Sequence, residues 1–278
     1  MDLSEQVLQE GDLSVSLTKL QEKVRNNPSD YKDRVFLFQL LSVMGQWDRA
    51  LTQLKVAGEL DASTLMMVQT YREALRCEVF RVGVFNGKRQ PMIFGEPEQW
   101  IALLIEALSL TTQGQIEKSQ TVRNQAFELA PTSSGQIDGQ EFEWIADADL
   151  RIGPVLECIL NGRYYWIPFN RISELNIESP TDLRDEVWTP AYFTWVNGGQ
   201  SVGLIPTRYP NSENSNDTQI LRSKRTDWES QGEELYFGLG QRMLVTDLGE
   251  YPIMDIRCIK FNTSNSSDIQ SPETITSN

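Results

Sequence analysis

At 278 residues, with 40% hydrophobic and 23% charged residues, the chain has the make-up of a soluble globular protein with ample core for one large or two smaller domains. Its net charge of −14 repels phosphate backbones and argues against nucleic acid as a partner, and no apolar run approaches the roughly 20 residues that span a bilayer. Histidine is absent, which removes Ser-His-Asp and Cys-His catalysis, His-based metal sites and a His pH switch.

The opening MDLSEQVLQEGD has no basic stretch followed by an apolar one, so no signal peptide is expected. Cys77, Cys158 and Cys258 are odd in number, far apart and outside any CxxC pattern, as in reduced thiols of a cytoplasmic protein. Residues 1–131 read as helix. Val35, Phe36, Phe38, Leu40, Leu41 and Val43 follow Asp30, a candidate N-cap, and Gly45 stops that segment. Trp47, Ala50, Leu51, Leu54 and Ala57 then recur at helical spacing, and Glu96-Pro97-Glu98 opens a further apolar face from Trp100 to Leu110. Turn residues between Gly83 and Pro97 interrupt the helices.

Three segments align on their glycines: Gly11 to Ser16, Gly45 to Ala50 and Gly114 to Ser119. Each has an apolar third residue and a small sixth one. The first two glycines are 34 residues apart and the last two 69, close to twice that period. Thirty-four is the tetratricopeptide period, so the expectation is a tetratricopeptide-like all-α repeat domain, with a plain antiparallel bundle as the competing reading. Either would present a helical surface able to receive a peptide or helix.

After Pro131 the composition changes. Short β-rich runs are expected at Tyr164–Phe169, Ile172–Ile177, Tyr192–Val196, Val202–Pro206 and Ile253–Phe261, with Asn197-Gly198-Gly199 as a hairpin. Leu150–Leu160 reads as a short helix ending at Asn161-Gly162, and Asn211–Thr218 as a polar loop. The fold expected overall is α+β in two parts: a helical repeat domain over 1–131, a smaller α+β domain with a mostly antiparallel sheet over 132–261, and a disordered tail over 262–278. Residues 1–130 carry a net charge of −3 and the remainder −11, which suits a basic peptide or protein partner for the second half.

The run from Gly139 to Ile172 is the densest in Trp, Tyr, Arg and carboxylates, side chains that need defined neighbours when buried. Asp147-Ala-Asp149 is like the acidic pair with which some transferases hold a divalent cation, but such sites usually gather more oxygens, and Arg151 stands ready to pair with it. Glu141 and Glu143 could serve as acid and base, yet strand alternation puts both on one solvated face. A carboxylate-based enzyme or divalent-metal protein centred on Glu141–Asp149 is therefore the alternative reading. Asp182-Leu-Arg184-Asp185 followed by Trp188 reads as a charge-paired corner capped by an aromatic. Arg163, Arg171, Arg208 and Arg242 sit beside aromatics, Gly or Gln, and a structural network of Arg forks leads over a surface that grips a partner. Gly238-Leu-Gly240-Gln-Arg242 is too short for a phosphate-binding fingerprint, and neither a Walker motif nor a nucleophile elbow occurs.

The chain resembles the ImpE family, also called TagJ or SciE-type, accessory proteins of bacterial type VI secretion systems. The resemblance covers about residues 3–261. It is carried by Gly11-Asp-Leu13, Asn27-Pro28, Arg34 to Phe38, Gly45 to Ala50, Tyr71-Arg72, Phe94 to Pro97, Trp100 and Phe142-Glu-Trp144. It continues through Asp147-Ala-Asp149, Arg151 to Glu157, Asn161 to Tyr164, Trp166, Pro168-Phe169, Arg171, Leu183 to Asp185, Val187-Trp188, Pro206 to Tyr209 and Gly238 to Arg242. It implies a non-enzymatic cytoplasmic adaptor without cofactor or metal. Such an adaptor binds the N-terminal helix of the small contractile-sheath subunit TssB and bears on sheath assembly, or on recycling by an AAA+ ATPase. The family offers no catalytic residues to carry over. Candidate partner-binding residues are Trp47, Trp100, Trp144, Asp147, Asp149, Arg151, Arg163, Trp166, Arg171, Arg184, Asp185, Trp188, Arg208 and Arg242. The chain departs from the family pattern in its polar insertion at Asn211–Thr218 and its longer C-terminal tail.

Overall fold

Residues 12–232 and 235–263 are described in a computed structural model. Gly11 and most of the expected C-terminal tail lie outside the described residues. Local chemistry sets the helix starts. Asp12 accepts from the backbone N–H groups of Ser14 and Val15 to open α1 (Leu13–Asn26), and Asp30 accepts from Lys32 and Asp33 to open α2 (Tyr31–Val43). There follow α3 (Trp47–Leu60), α4 (Leu65–Phe85), α5 (Gln99–Thr112) after Glu96-Pro97-Glu98, and α6 (Ile116–Leu129).

The repeat has a local structural counterpart. Gly45 and Gly114 both adopt the left-handed backbone, φ +66° and +74°, at the tight turns between α2 and α3 and between α5 and α6. The next residues, Gln46 and Gln115, share φ/ψ of −86°/64° and −85°/62°. Each turn leads into a helix of 14 residues, the length of α1 as well. The small residue at the sixth place, Ser16, Ala50 or Ser119, is fully buried. A larger side chain there would hold neighbouring helices apart.

Beyond Pro131 the chain is built of strands: β2 (Gly135–Ile137), β3 (Gln140–Phe142), β4 (Ile145–Asp147), β5 (Val155–Leu160), β6 (Arg163–Pro168), β7 (Ile172–Ile177), β8 (Trp188–Trp195), β9 (Gln200–Pro206), β10 (Thr226–Ser230), β11 (Tyr236–Gly240), β12 (Met243–Thr246), β13 (Glu250–Pro252) and β14 (Cys258–Phe261). With β1 (Met92–Ile93), which lies between α4 and α5, the main sheet among the described residues runs β1-β6-β5-β9-β8-β7-β14-β2-β3. Its pairs are antiparallel except β1 with β6. A three-stranded sheet, β13-β12-β4, and the ribbon β10-β11 complete the fold. The expected helical first part and mostly antiparallel second part are thus both present, and Asn197-Gly198-Gly199 turns β8 into β9.

Leu150–Leu160 is not a helix. Residues 150–153 form a turn in which Ile152 and Gly153 donate to the Asp149 carbonyl, and β5 follows Pro154. Two features override the helical pattern. Gly153-Pro154 breaks a helix, and Asn161-Gly162, with φ of +48° and +71°, forms a tight hairpin turn into β6. The apolar run of β5 reflects burial on both faces, which periodicity cannot distinguish from a buried helix. Ile253–Phe261 is strand only from Cys258, and the Asn211–Thr218 loop contains a short 3₁₀ turn, Ser212–Asn214, whose Ser212 is buried.

Val155 and Ile159 of β5 face the helices and join Phe38, Leu54, Tyr71, Leu75 and Trp188 in one core, while Leu156, Cys158 and Leu160 join a second core on the far face with Ile167, Phe193 and Ile259. The helices and the sheet therefore share a core across one sheet face.

The two glycine turns differ in surroundings. A Cβ on Gly114 meets nothing within 4 Å, whereas one on Gly45 falls 2.5 Å from Glu213 Cβ. Gly114→Ala is expected to cost only the left-handed strain, about 1 kcal/mol. Gly45→Ala must also displace the 3₁₀ turn and is expected to cost about twice that or more in urea unfolding. Equal losses would mean that the turn yields freely.

Candidate functional site

Strand alternation puts Glu157 on the same face of β5 as Val155 and Ile159, toward the helices, where it is fully buried. A lone carboxylate there would be prohibitive. Two guanidinium groups meet it. Arg81, near the end of α4, donates Nε to Glu157 Oε1 at 2.6 Å and NH2 to Oε2 at 2.9 Å. Arg242, just ahead of β12, pairs with Oε2 from the other side. Tyr164 donates its hydroxyl to Oε1 and accepts from the Trp166 indole at 2.9 Å.

The network continues both ways. Arg242 bridges to Asp147 and donates Nε to the Pro206 carbonyl at 3.0 Å. Asp147 also accepts from the Tyr209 hydroxyl and the Asp149 backbone N–H, both at 2.9 Å. Asp149 is held by Arg151 Nε and by the Gly238 N–H, each at 2.9 Å, and Arg151 stacks 4.1 Å from the Phe237 ring centroid. On the helical side Arg81 reaches Glu78, which accepts from the Trp188 indole at 2.9 Å. Arg208 donates to the Val43 carbonyl at 2.7 Å and the Leu221 carbonyl at 2.6 Å, so a buried cation caps the C-terminus of α2.

Three buried arginines, Arg81, Arg151 and Arg242, thus pair with four buried carboxylates, and a fourth, Arg208, meets backbone carbonyls, on elements from both halves of the chain. The Gly238–Arg242 segment serves this network. A Cβ on Gly238 would fall 2.2 Å from the Tyr209 ring, and Gly240, at φ +84°, donates its N–H to the buried Ser212 hydroxyl at 2.8 Å.

Of the fourteen candidate residues, Asp147, Asp149, Arg151, Trp166, Trp188, Arg208 and Arg242 are buried in this network. Glu98 gathers two others, accepting from the Trp100 indole at 3.0 Å and from Arg171 at 2.7 Å. Trp47, Arg184 and Asp185 join an aromatic corner. Tyr71 lies 5.6 Å from Trp188, Trp47 lies 6.0 Å from Trp188, and Arg184 stands over Tyr71 at 5.0 Å. Asp185 closes a reciprocal cap with Asp182 in the turn Leu183–Glu186. Arg163 and Trp144 are exposed and lie apart from these groups. Sequence reasoning missed Arg81 and Glu78. Their only signal is an i, i+3 charge pair on an otherwise apolar helix face. Glu141 and Glu143 are exposed, and neither is joined by Asp147 or Asp149, whose oxygens are taken up by arginine, tyrosine and backbone donors.

Residues 139–260, which hold most of the network, match the family described as ImpE protein. The type VI secretion system accessory component TagJ of Pseudomonas aeruginosa is 48% identical over 263 residues, 95% of this chain and 92% of that protein. The chain belongs to the ImpE/TagJ family. Its fold has a counterpart in a crystal structure of a Vibrio parahaemolyticus protein, 24% identical, with a TM-score of 0.85 over 95% of this chain and 99% of that one. No helix among the described residues is long and apolar enough to cross a membrane.

The carboxylates of the network titrate apart. Burial raises the Asp147 carboxyl from 3.8 to about 6, against the pull of Arg242. Burial acts on Glu157 too, but Arg81 and Arg242 together outweigh it and hold it down at about 2, from 4.5. The signs are opposite. The Asp147 contribution to stability is fully present below about pH 4 and is lost as pH rises through 6. The Glu157 contribution is present above pH 4.5 and is lost as pH falls toward 2. Each amounts to about 3 kcal/mol. The two contributions are both nearly complete only near pH 4 to 4.5, so thermal stability is expected to peak there and to fall toward pH 6. Asp147→Asn should flatten the fall between pH 4 and 6 while leaving the acid limb, and an unchanged slope over that range in the variant would exclude Asp147 as its source.

Proposed function

We propose that this protein is a non-enzymatic accessory protein of a type VI secretion system, an adaptor that binds the N-terminal helix of the small sheath subunit TssB in the cytoplasm. Binding there bears on sheath assembly, or indirectly on recycling by the AAA+ ATPase. The observation that carries the reading is the 48% identity to the accessory component TagJ over 95% of the chain. The ion network supports the absence of catalysis, since its carboxylates and guanidinium groups are spent on one another and on the backbone.

The helical half is the docking surface in this reading. Its glycine turns, 14-residue second helices and buried small sixth residues support a tetratricopeptide-like arrangement, whose groove receives an amphipathic helix. The corner between α3 and α4 leaves Leu60, Leu65 and Met66 exposed, the last at 79%, where a helix would find apolar partners.

Pull-down with the sheath subunit, with and without its N-terminal segment, tests the reading. Binding should vanish with the segment, and Met66→Glu should weaken it about tenfold. Binding that survives the deletion would rule out helix capture.

A further inference from the structure

A cleft of about 340 Å³ opens where the end of α6 meets β4, away from the α3–α4 corner. Alternation makes its floor. Ile145 and Asp147 point into the protein, so Ala146 and Ala148 point outward, and Val245 pairs with Ala146 across β12. Alanine at both outward positions leaves a trough. Phe127, Trp144 and Leu150 line it as well. Trp144 is 39% exposed, and Leu129 at the end of α6 is 54% exposed, so this apolar surface lacks the cover that the two cores enjoy.

The rim is acidic. Neither Asp138–Leu150 nor Met243–Pro252 contains a lysine or arginine. Glu143, Asp247 and Glu250 are exposed, as is Glu141 one strand away, whereas Asp138 turns to the backbone N–H groups of the half-exposed Arg257 and of Cys258. Asp147 and Asp149 are paired internally with Arg242 and Arg151, so the field outside the cleft belongs to the exposed carboxylates. Lys260 is separated from Glu141 by the intervening strand β2. A second copy of this chain makes a poor occupant, because a two-fold contact would set acidic rim against acidic rim.

We propose that this cleft docks a segment of a partner protein in which one large apolar side chain, seated over Ala146 and Ala148, is flanked by lysine or arginine. The site is separate from the helical groove and does not depend on the sheath-binding reading. The apolar anchor supplies affinity and the rim selects charge and speeds encounter.

The test is fluorescence anisotropy on the full chain with two labelled peptides, one a Trp flanked by lysines and the other the same peptide with glutamates. The lysine peptide should bind and the glutamate peptide should not. Ala146→Leu fills the trough and Trp144→Ala removes its exposed aromatic, both at constant charge, and each should weaken the lysine peptide about tenfold. Trp144→Ala changes an exposed side chain, so the test survives if Ala146→Leu fails to fold. No binding of the lysine peptide, or binding equal in the parent and both variants, overturns the proposal, the latter marking bare charge attraction. Self-association of the parent that Ala146→Leu abolishes also overturns it in favour of a second copy.

Discussion

The Glu157 carboxylate, buried between Arg81 and Arg242, is the constraint on which the arrangement of this molecule depends. Removing such a charge from water costs several kcal/mol, recovered only when both guanidinium groups arrive in register. Arg81 is set by α4, Arg242 by the approach to β12, and Glu157 by the central strand β5. No one of these elements can satisfy the others alone. Loss of one partner would leave an uncompensated buried charge, at a cost of about 3–5 kcal/mol, whereas an apolar core of the same volume would tolerate many orientations of helices on sheet. The ion network therefore acts chiefly on specificity, selecting one docking of the helices on the sheet face.

Arg208 extends the same logic to a helix end. Its guanidinium carries no direct carboxylate contact and instead meets carbonyls at the C-terminus of α2, where backbone dipoles leave partial negative charge. The chain thereby ties the first glycine turn to the sheet, because Gly45 follows that helix end and packs against Glu213 in the loop after Arg208. An insertion that reads as a plain polar loop is drawn in by Ser212, whose hydroxyl joins the Tyr209 carbonyl to the Gly240 N–H.

What could be read from the sequence follows the range of the interactions. The helix starts and glycine turns were legible because a left-handed glycine, an N-cap and a small buried residue act within a few residues of one another. The Asn197–Gly199 hairpin was legible for the same reason. The strand at Val155–Leu160 was not, because burial on both faces erases alternation, and its true marker, the turn at Asn161-Gly162, also fits the end of a helix. The network was legible only as an excess of arginine and carboxylate. Glu157 lies 76 residues from Arg81 and 85 from Arg242, and no spacing rule connects them. Trp166 and Arg242 therefore carried the same weight as candidates as the exposed Trp144 and Arg163.

The same separation of buried from exposed charge bears on how such a molecule works. An accessory protein acts through the surfaces it presents, and surfaces are presented reproducibly only by a frame with one arrangement. Here the frame takes up three arginines of the second half, Arg151, Arg208 and Arg242, all buried. The carboxylates they neutralise are buried with them, so burial removes cations and anions together and leaves the excess of carboxylates outside. The acidity of that half is thus a property of its surface. Such a surface suits the basic partner proposed for the apolar cleft, and the nearly balanced helical half suits the proposed capture of a helix by shape and apolar contact.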